Sequence, residues 1–281
     1  MISNAKKEIK KEFESNMWPE VYGSRQNRSV LTWPATGVEE TKDRLCLVVS
    51  QDRVKGLIPI EESGVEMVDN PRLNKSRLAN LIGQEVSFIV TNTDKRNNLF
   101  VASREKAMEK LSSVSWDKLK VGFTRTAIAR RIVSRPKKDG TLYDMGVVVE
   151  IEGIEAFLPV QEVSHGWVGN IRDFIQPGDT FDVEILEIDK EKPKVLVSVK
   201  SLYENPWPEC LNRYSKGSMY AGTVTGVAEY GIFVNFEPGV DILCNHPKSG
   251  RLNKGDKVAA VITRISEDKI NGVIARVIRR V

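Results

Sequence analysis

Apolar residues fall in short runs with partial two-residue alternation along most of the chain. The clearest stretch is 216–277, where Val224, Val227, Ile232, Val234 and Phe236 are interrupted by Gly222, Gly226, Gly231 and Gly239. That pattern predicts twisted strands with bends rather than helix. Val258, Val261 and Ile265 open a further strand after the turn at Lys254, Gly255 and Asp256, and 273–277 reads as the last one. About five short strands in about sixty residues suit a small closed barrel.

The same reading applies upstream. Residues 28–104 predict a first barrel, with Pro34 and Pro59 at strand ends or edges. Within it, Leu73, Arg77, Leu78 and Leu81 keep helical spacing over 71–82, between a Pro71 start and a Gly83 stop. A charged connector, 103–120, is predicted to be helical in its first half. A second barrel follows over 121–202, its first two strands joined by a hairpin turn at Asp139 and Gly140. At the N-terminus, Ala5, Ile9 and Phe13 make a narrow apolar stripe over 4–15, a short helix that either packs on the first barrel or docks a partner. Three stretches, 54–59, 154–159 and 240–245, occupy the same place in three units, and the pairs Val101-Ala102, Val197-Ser198 and Ile274-Ala275 are matching ends. Tandem repetition is the reading. The division is 1–20 as N-terminal helix or tail, 21–110 and 116–205 as the first two barrels, and 216–281 as the third.

The third unit resembles the S1 RNA-binding domain, an OB-fold module. The resemblance rests on Gly222-Thr223-Val224, then Tyr230-Gly231-Ile232-Phe233-Val234, Gly239-Val240-Asp241-Ile242-Leu243, the Gly255-Asp256 turn and Ile274-Ala275 at the end. Lys200-Ser201-Leu202, Asn205-Pro206-Trp207 and Tyr214 with Gly217 are similar to a linker between domains of the bacterial ribosomal protein S1 family. The expected fold class is all-β dominated: three tandem OB-fold (S1-type) five-stranded barrels with a short N-terminal helix and helical connectors.

Charge sharpens this picture. Residues 216–281 carry ten Lys/Arg against six Asp/Glu, whereas 116–205 carry thirteen against fifteen. The excess sits where a polyanion would be held. Cys46, Cys210 and Cys244 are far apart, in no metal-ligating spacing, and read as small buried hydrophobes in a reducing cytoplasm. No run is apolar enough for a bilayer.

In S1 domains, two aromatics flanking a glycine, a His after the third strand and an Asp/Arg pair in the later hairpin contact RNA. The resemblance implies these roles for Tyr230 and Phe233, whose alternative is barrel core. Phe236 is assigned to the core. The family His position falls on Asn245, with His246 next. The Asp and Arg positions fall on Ser266 and Asn271, where Arg264, Lys269 and Arg276 are basic substitutes. The second unit lacks the aromatic pair at Met145-Gly146-Val147-Val148 but keeps Asp189 and Lys194. Its basic hairpin, Arg125, Arg130, Arg131, Arg135, Lys137 and Lys138, is either a solvated turn or a phosphate contact. The first two units carry a Leu-Pro type strand that the resemblance links to ribosome attachment.

The expected function is a non-catalytic single-stranded RNA-binding protein, binding mRNA and associating with the small ribosomal subunit in the cytoplasm, with no cofactor, no metal and no membrane. The alternative is an S1-domain regulator of transcription or RNA decay acting off the ribosome. An enzyme is disfavoured because only His165 and His246 exist, in different units, with no phosphate loop or nucleophile elbow.

Overall fold

The computed structural model describes residues 17–41, 44–136, 140, 142–189, 194–247, 250–266 and 269–279. The helix expected over 4–15, Lys137, Lys138 and Asp139 lie outside the described residues.

Among the described residues, fifteen strands form three closed five-stranded barrels. Barrel 1 comprises β1 (Leu31–Thr41), β2 (Arg44–Gln51), β3 (Val54–Pro59), β4 (Glu85–Asp94) and β5 (Leu99–Ser103), closed in the order β1-β2-β3-β5-β4. Barrel 2 has β6 (Thr124–Pro136), β7 (Leu142–Ile151), β8 (Ile154–Pro159), β9 (Thr180–Asp189) and β10 (Lys194–Ser198). Barrel 3 has β11 (Met219–Ala228), β12 (Gly231–Glu237), β13 (Val240–Asn245), β14 (Lys257–Ser266) and β15 (Lys269–Arg279). In each, the third strand pairs in parallel with the fifth, and every other ladder is antiparallel.

Alternation places one face of every strand in a barrel core. In barrel 1, Trp33, Phe88 and Phe100 meet there with ring centroids 5.3–5.6 Å apart. Gly56 is required beside them, because a Cβ would stand 2.3 Å from Phe100 Cζ. Barrels 2 and 3 fill their interiors with Val, Ile and Ala instead.

Among the described residues, four α-helices connect or cap the barrels. α1 (Trp18–Asn27) starts on Pro19 and lays Trp18, Val21 and Ser24 against barrel 1. Ser24 Oγ accepts from Val90 N–H at 3.0 Å and donates to Ser29 O at 2.7 Å, which ties the helix to β4. α2 (Pro71–Ala79) is capped by Asn70, and α3 (Arg104–Ser115) by Ser103, whose Oγ accepts from Lys106 N–H. Both were expected. α1 and the short α4 (Trp207–Cys210) were not.

α3 also builds the joint between barrels 1 and 2. Its first residue, Arg104, donates from Nη2 to Glu150 Oε2 at 2.6 Å, and Arg130 Nε donates to the same oxygen at 2.8 Å. Arg130 Nη1 reaches Gln84 Oε1 and Glu85 O, and Arg104 Nη1 reaches Ser63 O. Burial pushes the Glu150 carboxyl up, but the two guanidiniums outweigh it and hold it below the usual carboxylate range. Arg130 was grouped with a phosphate-facing hairpin; it is instead buried in this ion triad, because its strand position faces barrel 1.

Candidate nucleic-acid interface

The strand register defines one outward-facing cross-strand row per barrel. In barrel 3 it runs Gly226, Phe233, Leu243, Asn271, Arg264 from β11 through β12, β13 and β15 to β14. Directly paired residues share a face, and the flanking Ile232, Val234, Ile242, Cys244 and Ile270 fill the core. The row therefore offers an aromatic ring, an aliphatic side chain, an amide and a guanidinium in sequence. Those are the elements of a surface that stacks a base, hydrogen-bonds its edge and holds a phosphate.

Tyr230 stands at the aromatic end of the row, in the β11–β12 turn and 68% exposed. Its ring lies 6.0 Å from that of Phe233, edge to face at 89°. A spacing of three on a regular strand would separate them; Tyr230 escapes because β12 begins only at Gly231. A Cβ on Gly231 would meet Cys244 O at 2.7 Å, so only glycine lets the turn approach β13 this closely. His246 Nε2 donates towards Ala228 O at 2.9 Å and Glu229 O at 3.1 Å. It holds the turn that carries Tyr230, a positioning role.

Lys269, opposite Ser266, occupies the next outward place beyond Asn271 and Arg264. Asn245 pairs with Val273 and is exposed on the same face as Leu243. Arg276 is not brought to this group. It pairs with Ala259 past a register shift and stands at the far end of β15. Phe236 packs on the core with Tyr214 and Tyr220. Burial, together with Glu237, pushes the Tyr214 hydroxyl up to about 12.

The equivalent row in barrel 2 is Arg131, Val148, Phe157, Leu196, Glu187. Phe157 supplies an aromatic to the row where its β7 neighbour is Val148. Asp189 and Lys194 are paired one outward place further on. Arg131 and Arg135 are exposed on β6, and Arg135 pairs with the exposed Tyr143. Arg125 is half-buried, donates to Lys118 O and Thr124 O, and stands 5.9 Å from the exposed Phe123 ring. In barrel 1 the row is Gly37, Val48, Leu57, Val101, Asn92. There Val48 and Leu57 join Cys46 and Leu99 in a small apolar cluster separate from the barrel core.

Barrels 2 and 3 meet through the segment 164–173. Trp167 stacks on Phe233 with centroids 4.4 Å apart and planes 13° from parallel. Its backbone N–H donates to Asp241 Oδ2 at 2.7 Å. Lys254 pairs with Asp173. A cleft of about 600 Å³ opens beside this contact, lined by His165, Phe174, Phe181 and Tyr203 among others. His165 Nε2 lies 3.0 Å from Lys200 O and 3.2 Å from Tyr203 O, so it ties the loop to the linker. Trp167 and Phe157 were missed by sequence reasoning. Glycines flank Trp167 on both sides, and Gly226 recurs opposite it, but nothing local says that the indole crosses to another barrel.

Residues 141–200, from β7 to the end of barrel 2, match the S1 RNA binding domain. The chain is 28% identical over 240 residues to small ribosomal subunit protein bS1 of Leuconostoc lactis, covering 80% of this chain and 52% of that protein. It is 24% identical over 254 residues to bS1 of Pseudomonas aeruginosa, covering 85% and 44%. It is also 35% identical over 255 residues to a protein named 4-hydroxy-3-methylbut-2-enyl diphosphate reductase from Clostridium acetobutylicum, covering 82% and 37%. The chain thus spans between about a third and about a half of the length of these relatives.

Proposed function

Starting from a tandem S1-domain chain related to bS1, we propose a non-catalytic protein that binds single-stranded RNA, mRNA above all, and associates with the small ribosomal subunit in the cytoplasm. The observation that carries the reading is the barrel 3 row, where Phe233, Leu243, Asn271 and Arg264 lie side by side on a curved outer face. Barrel 2 adds Phe157, Tyr143, Arg131 and Arg135, and Lys137 and Lys138 follow in sequence.

The three rows divide the labour. Where barrel 3 has an aromatic, an amide and a cation, barrel 1 has Val48 and Leu57, buried in a small cluster with Cys46 and Leu99. Buried aliphatic side chains neither stack on a base nor hydrogen-bond its edge. RNA contact is accordingly assigned to barrels 2 and 3, and attachment to barrel 1, whose Gly56-Leu57-Ile58-Pro59 strand is of the type that the resemblance links to the ribosome.

The reductase-named relative does not move this reading. Its match covers 82% of this chain and that of the Leuconostoc lactis bS1 covers 80%, so most of the chain is common to both. A common RNA-binding part accounts for both matches, and the reductase chemistry is assigned to the remainder of that longer protein. The test is co-sedimentation of the full chain with purified small ribosomal subunits, beside binding of a single-stranded oligoribonucleotide. Co-sedimentation together with RNA binding supports the proposal. RNA binding alone favours the regulator acting off the ribosome, and absence of both overturns it.

A further inference from the structure

The stack of Trp167 on Phe233 has the geometry in which a nucleobase lies on an aromatic side chain. The indole comes from barrel 2 and the phenyl ring from barrel 3. The contact is built to fit. A Cβ on Gly226, the neighbour of Phe233 in the row, would stand 1.7 Å from Trp167 Cζ3. A Cβ on Gly169 would stand 2.2 Å from the same atom, so the loop's own backbone also closes on the ring. Asp241, which accepts the Trp167 N–H, is itself fixed by Thr225 Oγ1 at 2.8 Å. The Lys254–Asp173 pair adds an exposed rim contact of the kind that holds weakly on its own.

The rest of the row stays open. Leu243 and Asn271 are half-buried, Arg264 is exposed, and Tyr230 presents most of its ring to solvent. Among the described residues, Trp167 fills the position above Phe233, where the first base would stack.

We propose that Trp167 is an intramolecular occupant of the barrel 3 groove: a nucleobase and the indole compete for the face of Phe233. RNA seated there releases the segment 164–173 and loosens barrel 3 from barrel 2. This rests on the RNA-binding reading of barrel 3. A tethered occupant holds a high local concentration at the site, so it lowers the apparent affinity by the fraction of molecules in which the face is free. It therefore selects for ligands that engage several points of the row at once.

The test uses the full chain and a fluorescein-labelled oligouridine of twelve nucleotides, read by fluorescence anisotropy. Trp167→Ala binds about two- to tenfold tighter than the parent, the range one aromatic pair represents. Trp167→Phe keeps a smaller ring in place and falls between. RNA also changes tryptophan emission in the parent, and that change is absent in Trp167→Phe. Phe233→Ala with Tyr230→Ala binds more weakly. If the double variant weakens binding but Trp167→Ala leaves it unchanged or weakens it, the groove stands and the competition is wrong. If the double variant has no effect, the barrel 3 reading itself fails, and the competition with it.

Discussion

Arg104 and Glu150 form a buried ion pair at 2.6 Å that links the connector helix α3 to β7 of barrel 2. Arg130 shares the same carboxylate oxygen, so one anion serves two guanidiniums. Glu150→Gln leaves both cations without a counter-charge and costs about 3–5 kcal/mol, the penalty for breaking a buried pair on one side. Urea unfolding checks this, with loss of stability confined to the transition that reports barrels 1 and 2. Replacing all three residues by apolar side chains of similar volume costs far less.

The same carboxylate sets an acid limit on the joint. Its folded value is depressed, so its contribution is complete above the ordinary carboxylate range and is lost as pH falls through the lowered value. Thermal unfolding followed from pH 7 down to pH 3 shows a stability loss in the parent at the acid end that Glu150→Gln lacks.

Cys46, Cys210 and Cys244 are all buried, and burial pushes each thiol up, Cys244 to about 12. A raised, buried thiol is a poor nucleophile. All three stay unmodified by a thiol reagent at pH 8 in the native protein and all react in denaturant. Rapid native modification of Cys244 would show that barrel 3 opens freely.

RNA binding falls with salt at a log-log slope of roughly −0.7 for each phosphate contacted. Arg131→Glu with Arg135→Glu lowers the steepness by about 1.4, that is, by two contacts, because both side chains are exposed on one hairpin. Arg130→Met leaves the slope unchanged, since Arg130 is committed to Glu150. Equal slopes for parent and double variant would remove the hairpin from the RNA path.

Barrel number and the helices α2 and α3 were legible because each rests on local signals: alternation, recurrence of the same stretches, helical spacing, a Pro71 start and a Gly83 stop. α1 was not, because its buried stripe is only Trp18, Val21 and Ser24, and Gly23 and Pro19 read as breakers. Tyr230 and Phe233 were found through the resemblance, but Leu243 and Asn271 join them only through ladder register across separate strands. Phe157 was hidden for the same reason: it enters the row only through its pairing with Val148 on the neighbouring strand. Trp167 and the Arg130 triad depend on contacts between barrels, which no periodicity within one barrel encodes.

The central claim is that the barrel 3 row is an RNA path, and photo-crosslinking tests it most directly. The full chain is bound to an oligoribonucleotide carrying 4-thiouridine, irradiated, and the crosslinked peptides are mapped by mass spectrometry. The account predicts crosslinks within 230–245 and 264–271, centred on Tyr230 and Phe233 and lost in the double alanine variant. Crosslinks confined to barrel 1, with none on barrel 3, would contradict it.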